Sequence, residues 1–216
     1  MLLKNFEHIN RNITMNANLI KTIEKISSLE ITNERKEKLK PLIAYIREKR
    51  TQKEDIRINF ICTHNSRRSH LGQIWMQTLA NHFNIKNIKT YSGGTEATAL
   101  ANPIAETLKN QGFEINIISE NTNPIYAIKY DEVSHPIIGF SKRYDDSFNP
   151  SSKFAAVMTC SQADEGCPFV AGTDKRIAIT YEDPKISDST DKQAQTYLER
   201  SNQIASEMYF VLSQLN

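Results

Sequence analysis

Apolar residues recur every three or four positions in the first quarter of the chain, which is the period of an amphipathic helix. One set is Leu19, Ile20, Ile23 and Ile26, and a second set is Leu39, Leu42, Ile43 and Ile46. Two helices are therefore predicted, with Thr32 and Asn33 able to cap the second. We assign residues 1–54 to a helical N-terminal extension and predict no catalytic chemistry for it.

From residue 55 onward, short apolar runs alternate with helical patterns. Strands are predicted at 58–62, 87–92, 113–118, 154–159 and 176–180. This alternation is typical of an α/β fold with a parallel sheet covered by helices. Residues 55–216 are predicted to form the catalytic domain. An irregular stretch at about 123–150 is interpreted as an inserted β-hairpin, with arms at 125–128 and 137–140, that covers the active site.

The first predicted strand runs directly into a polar loop that opens with Cys62. Five residues separate it from Arg68, where helical spacing begins again, so the loop can curl around a tetrahedral oxyanion beside a helix N-terminus. A thiolate nucleophile at Cys62 and a bidentate arginine at Arg68 are predicted, with Ser69 offering its hydroxyl to the sulfur. The remaining predicted anion-binding residues are Thr63, His64, Asn65, Ser66 and Arg67. The alternative is a buried cysteine at a strand end.

Two further cysteines follow the strand predicted at 154–159. Six residues separate Cys160 from Cys167, which is too many for a C-x-x-C motif, and a zinc site would require two more ligands. In a flexible segment Cys160 could approach either Cys62 or Cys167. We interpret the pair as a redox relay. Two unrelated buried thiols are the alternative.

The last predicted strand leads into the sequence Tyr181-Glu182-Asp183-Pro184. Strand ends of an open parallel sheet border the ligand crevice, so a carboxylate here can face Cys62. Asp183 is predicted to be the general acid that protonates a leaving oxygen. Glu182 is a weaker candidate for the same role. A turn or helix-capping function for Asp183 is the alternative, since Asp-Pro is also a turn signal.

Composition restricts the functional classes. The 216 residues are 39% hydrophobic and carry a formal net charge of +2, which indicates neither a nucleic-acid nor a membrane partner. No apolar run approaches the ~20 residues needed to span a bilayer, and a cytoplasmic location is expected. Three cysteines without an export signal favour catalytic or redox use over structural disulfides. No cofactor and no metal ion are predicted.

These motifs resemble those of the thioredoxin-coupled arsenate reductases, which share the low-molecular-weight protein tyrosine phosphatase fold. The resemblance rests on the loop at Cys62, on Tyr91-Ser92-Gly93-Gly94, on the run from Cys160 to Pro168 and on Asp183-Pro184. It implies an open four-stranded parallel sheet flanked by helices. It also implies that Cys62 attacks arsenate, that Cys160 displaces reduced arsenic, and that Cys167 closes a disulfide with Cys160 for thioredoxin to reopen.

The chain also departs from this family's pattern. His64 stands where glycine is usual and Arg67 where cysteine is common. Some relatives bind potassium beside the loop through positions matching Asn65 and Ser92, but Gln73 replaces the expected glutamate. Two other functions remain open. One is a phosphatase acting on phosphotyrosine or small phosphate esters through a phosphocysteine. The other is a non-enzymatic anion or redox sensor.

Overall fold

The computed structural model describes residues 15–166 and 169–215. Its helices are α1 (Ala17–Ser27), α2 (Asn33–Gln52), α3 (Arg68–His82), α4 (Asn102–Asn110), α5 (Ser161–Gly166) and α6 (Gln193–Ser213). Its strands are β1 (Ile56–Cys62), β2 (Ile88–Gly94), β3 (Glu114–Ser119), β4 (Ile125–Lys129), β5 (Ile137–Gly139), β6 (Phe154–Met158) and β7 (Thr173–Ala178). A short 3₁₀ helix spans Pro184–Ser187.

Four strands form a parallel sheet in the order β2-β1-β6-β7. Almost every residue of β1 and all of β6 are buried, as expected of central strands covered on both faces. Because parallel strands end at the same edge of a sheet, the segments after β1, β6 and β7 meet there. The predicted four-stranded parallel sheet flanked by helices is confirmed.

The strand predicted at 113–118 exists as β3 but does not join the parallel sheet. It pairs antiparallel with β4, and β4 pairs antiparallel with β5, in a separate three-stranded sheet. Glu114 and Asn116 alternate with Ile115 and Ile117, and Ile115 is the one buried residue of β3, which is typical of a strand covered on one face. The hairpin predicted for the insertion is confirmed, and β3 extends it.

The two helices predicted before the sheet are present as α1 and α2. Asn16 caps α1, and the Thr32 side chain caps α2 by accepting from the amide of Arg35. Their apolar faces pack in one cluster with α3, α6 and the sheet, through residues that include Leu19, Ile23, Leu39, Leu42 and Ile46. The described part of the extension thus shares one hydrophobic core with the parallel sheet and its helices. The domain boundary at residue 54 stays a prediction.

None of the helices within residues 15–166 and 169–215 has both the length and the apolar character needed to cross a membrane.

Gly94 allows the loop after β1 to approach the end of β2. A Cβ atom at this position would lie 2.3 Å from the Glu96 carbonyl oxygen and 2.7 Å from the Asn65 amide nitrogen. Those are backbone atoms, so Gly94→Ala should displace the loop and lower the free energy of unfolding by about 1–3 kcal/mol. Denaturant unfolding measures this loss.

Gly166→Ala is the matched control, because nothing lies within 4 Å of a Cβ atom there. It should leave stability nearly unchanged. Equal stability of the two variants would show that the loop and strand do not need this close approach.

Candidate active site

The loop from Thr63 to Arg67 connects the buried end of β1 to the start of α3, which begins at Arg68 as predicted. Asn65 has a φ of +44°, the left-handed conformation that asparagine tolerates better than most residues. Its side chain ties the loop together by donating from Nδ2 to the Ser69 hydroxyl at 2.8 Å and accepting at Oδ1 from the Lys142 amide at 2.9 Å.

The carbonyl groups of the loop are bonded on its outer side. The Cys62 and Thr63 carbonyls accept from the amides of Thr95 and Glu96, and the Ser66 carbonyl accepts from Ala101. In a planar trans peptide the N–H points opposite to the C=O. The amides that follow these carbonyls therefore point away from residues 95–101, so these bonds leave them free for the predicted anion site.

Cys62 is buried at the floor of this loop, with 3% of its surface exposed. Its Sγ lies 3.1 Å from the Ser69 hydroxyl oxygen. That oxygen already accepts from the Asn65 amide group, so its proton is available to the sulfur. A hydrogen bond of this kind suits a thiolate. The predicted contact between Ser69 and Cys62 is present.

Arg68 and Asp183 are brought together, as the sequence predicted. Arg68 Nη2 donates to Asp183 Oδ2 at 2.6 Å, and Nη1 donates to the Tyr181 carbonyl at 2.9 Å. Asp183 also caps the 3₁₀ helix by accepting from the Lys185 amide at 3.1 Å. The capping contact considered for this aspartate is therefore present, and its role as the general acid stays a prediction.

The space between these groups is small. A cavity of about 10 Å³ is lined by Cys62, His64, Ser66, Arg67, Arg68 and Asp183. A tetrahedral oxyanion needs more room than that, so lining side chains must move to admit one. Glu182 does not line this cavity; its side chain is 93% exposed and pairs with Arg200 at 3.6 Å. This position makes Asp183 the better placed carboxylate.

Arg67 belongs to a separate, partly buried group of side chains beside the loop. Its Nε donates to the Tyr197 hydroxyl at 2.7 Å and its Nη2 to Asp188 at 3.0 Å, while Tyr197 donates to the same carboxylate at 2.6 Å. Burial and the Asp188 carboxylate raise the pKa of Tyr197 to about 12. The Arg67 guanidinium is thus fixed to α6, 3.9 Å from Asp183.

Cys160 follows β6 and lies at the same sheet edge as Cys62. Its Sγ is 3.4 Å from the Thr63 hydroxyl and accepts from the Ala163 amide at 3.3 Å. Both thiols are buried and free, and both belong to one small apolar cluster. Cys167 falls outside the described residues, so its relation to Cys160 stays a prediction.

A wider groove leads into the loop. It encloses about 790 Å³ and is lined by His64, Arg68, Cys160, Ser161, Gln162, Thr180, Tyr181, Glu182, Asp183, Lys185 and Ile186. Tyr181 supplies the only phenol ring of this lining. That ring is buried, and its hydroxyl donates to Glu207 at 2.8 Å. It is therefore not free to stack on a substrate ring.

The residues beside the loop do not fit a potassium ion. Both ends of the Asn65 amide are bonded within the protein, and the Ser92 hydroxyl lies 3.3 Å from His70 Nδ1. The buried ammonium group of Lys142 already brings positive charge nearby. Burial lowers the pKa of Lys142 to about 8. Burial and the charge of Lys142 together lower the pKa of His70 to about 3.

Several supporting residues were not predicted from sequence. Lys142 stands in the polar run Ser141-Lys142-Arg143, which resembles exposed surface. Asp188 and Tyr197 reach Arg67 from more than a hundred positions away. No local spacing marks such contacts.

Comparison with known proteins places this geometry in context. Residues 57–134 match the family model described as low molecular weight phosphotyrosine protein phosphatase. No curated protein matches the chain.

Among solved structures, a low molecular weight phosphotyrosine phosphatase from Vibrio cholerae O395 is 12% identical, with a TM-score of 0.49 over 74% of this chain and 95% of that one. The low molecular weight protein tyrosine phosphatase from T. tengcongensis is 16% identical, with a TM-score of 0.48 over 74% and 100%. An arsenate reductase in the phosphate binding state is 15% identical, with a TM-score of 0.47 over 74% and 99%.

The family match spans the loop at Cys62, the start of α3 at Arg68 and the end of β2. The resemblance inferred from the sequence motifs is therefore confirmed over residues 57–134, where the chain is similar to the low molecular weight phosphotyrosine protein phosphatases, a family of enzymes.

Proposed function

We propose that this enzyme is an arsenate reductase in which Cys62 is the nucleophile and Cys160 the second thiol. The observation that supports reduction is the position of Cys160, whose sulfur contacts Thr63, the residue next to Cys62. Hydrolysis of a phosphate ester needs one thiol only. A second buried thiol at the same sheet edge has a use when electrons must be delivered.

The first step is a displacement at arsenic. The Cys62 thiolate attacks As(V), the bond to one hydroxyl group of arsenate breaks, and Asp183 donates the proton with which that hydroxyl leaves as water. Arg68 exchanges its contact with Asp183 for two oxygens of the anion, which match its planar fork. Asp183 must be protonated to act as the acid, and protonation also weakens its hold on Arg68.

The second step transfers two electrons. The Cys160 thiolate attacks the Cys62 sulfur, a disulfide forms, and the electron pair of the sulfur–arsenic bond leaves with arsenic as arsenite, As(III). Cys167 then exchanges into this disulfide, which frees Cys62 and leaves a Cys160–Cys167 bridge. A dithiol reductant of the thioredoxin type reopens that bridge. The expected setting for this chemistry is the cytoplasm.

Phosphatase activity is the second candidate. Cys62, Arg68 and Asp183 line one cavity and suffice to form and protonate a phosphocysteine intermediate that water hydrolyses. The groove favours a small ester or inorganic anion over phosphotyrosine, because Tyr181 is buried and cannot stack. A sensor that binds without turnover is the third candidate and would show neither arsenite formation nor phosphate release.

Cys62→Ser should abolish arsenate reduction and aryl phosphate hydrolysis, because serine supplies no thiolate at neutral pH. Oxyanion binding should persist, since the loop amides and Arg68 remain. Isothermal titration with inorganic phosphate and a turnover assay measure the two properties. Turnover above roughly one per cent of wild type would exclude Cys62 as the nucleophile.

Arg68→Lys keeps the positive charge but loses the planar guanidinium that can donate two parallel hydrogen bonds. It should lower kcat/KM by about 10²–10³-fold, the cost typical of losing one donor to a developing anion. A lysine variant that retains wild-type kcat/KM would contradict bidentate binding by Arg68.

Asp183→Asn should slow aryl phosphates with poor leaving groups by about 10²–10⁴-fold and those with good leaving groups far less, since only the former require protonation. A series of aryl phosphates of graded leaving-group pKa tests this dependence. Glu182→Gln is the control and should leave the hydrolysis rates of all these aryl phosphates nearly unchanged. Equal losses across the series in Asp183→Asn would reject its role as the acid.

Cys167→Ser tests the relay. The variant should convert one equivalent of arsenate and stop, with Cys62 and Cys160 bridged in a peptide map. Its aryl phosphatase rate should match that of wild type. A misfolded variant would lose this activity too, so the comparison distinguishes a broken disulfide relay from a misfolded protein. Repeated turnover of arsenate by Cys167→Ser with thioredoxin as reductant would contradict the three-thiol mechanism.

A further inference from the structure

A side chain of the N-terminal extension reaches the segment after β7, which carries Asp183. Arg35 lies on α2, and its Nε and Nη2 donate to the two carboxylate oxygens of Glu207 on α6 at 2.8 and 2.7 Å. Its third donor, Nη1, bonds to the Thr180 carbonyl at 3.1 Å. The same guanidinium lies 4.8 Å from the centre of the Tyr181 ring.

The next carbonyl along the chain serves the candidate active site. The Tyr181 carbonyl accepts from Arg68, whereas the Tyr181 hydroxyl donates to Glu207 at 2.8 Å. The carbonyls of Thr180 and Tyr181 are consecutive along the chain. Arg35 of the extension donates to the first and Arg68, at the start of α3, donates to the second. Asp183 follows two residues later and pairs with Arg68.

We propose that Arg35 is a positioning residue, through which the N-terminal extension holds the 180–183 segment so that Arg68 and Asp183 face the loop at Cys62. This inference rests on the proposed function, because it takes Arg68 to be the group that binds the oxyanion. It also replaces the expectation from sequence that the extension has no part in the chemistry.

The arrangement requires arginine. Glu207 is 2% exposed, and a buried carboxylate needs a charged partner and several donors. Arg35 supplies two donors to Glu207 and a third to Thr180 from one planar group. Lysine keeps the charge but has no planar fork, so it cannot reproduce this set of bonds.

Packing alone does not account for the contact with Thr180. The extension is already anchored in the core by its apolar face, through residues such as Leu39 and Leu42. Arg47, about three helical turns further along α2, gives a matched comparison. It also bonds to a carbonyl near the end of α6, that of Gln214 at 2.6 Å, but it has no contact with the 180–183 segment among those described.

The experiment compares Arg35→Lys with Arg47→Lys. Isothermal titration with inorganic phosphate and with arsenate should show an affinity roughly three- to thirtyfold weaker in Arg35→Lys, the range expected of a coupled residue. Arg47→Lys should bind as wild type does. Thermal unfolding verifies that both variants are folded. Wild-type affinity in folded Arg35→Lys would overturn the proposal.

Two further experiments distinguish a failure of this proposal from misfolding of the variant and from a failure of the proposed function. If Arg35→Lys does not fold, the double variant Arg35→Gln/Glu207→Gln removes both buried charges together and is titrated in its place. If wild type binds neither anion, the proposed function fails, and hydrogen exchange of the peptide covering residues 180–187 decides the role of Arg35. Faster exchange in Arg35→Lys than in Arg47→Lys supports it, and equal exchange overturns it.

Discussion

The ion pair between Arg68 and Asp183 joins the two parts of the candidate site. One partner comes from the loop after β1 and the other from the segment after β7, and the arginine is buried. A buried guanidinium is costly without an anionic partner. Either the Asp183 carboxylate or a substrate oxyanion must therefore occupy its fork. In the proposed mechanism, exchange between the two frees Asp183, which must carry a proton to act as the acid.

Much of this site was predictable because a parallel sheet gathers its strand ends at one edge. Cys62, Cys160 and Asp183 each follow an apolar run that the sequence marks as a strand, and the structure places all three at that edge. The start of α3 at Arg68 and the left-handed backbone at Asn65 were likewise predictable from local pattern and residue type.

The rest depends on contacts between distant parts of the chain. Arg35 and Glu207 are 172 positions apart, and no periodicity links them. In the sequence Lys142 lies in a polar run typical of exposed surface, yet its side chain is buried behind the loop. The strand β3 carries a recognisable pattern, but that pattern does not specify which of the two sheets the strand joins. Such features follow from tertiary packing, which single-sequence patterns do not encode.

The proposed function requires that thiols of this chain reduce arsenic, and do not only bind or displace an anion. The most direct measurement is a single-turnover experiment on the reduced wild-type enzyme, with arsenate present and no external reductant, in which arsenite and remaining free thiols are counted together. The sequence contains three cysteines. The account predicts one arsenite formed and two thiols lost per chain. Three thiols retained with no arsenite, alongside steady phosphate release from an aryl phosphate, would contradict it.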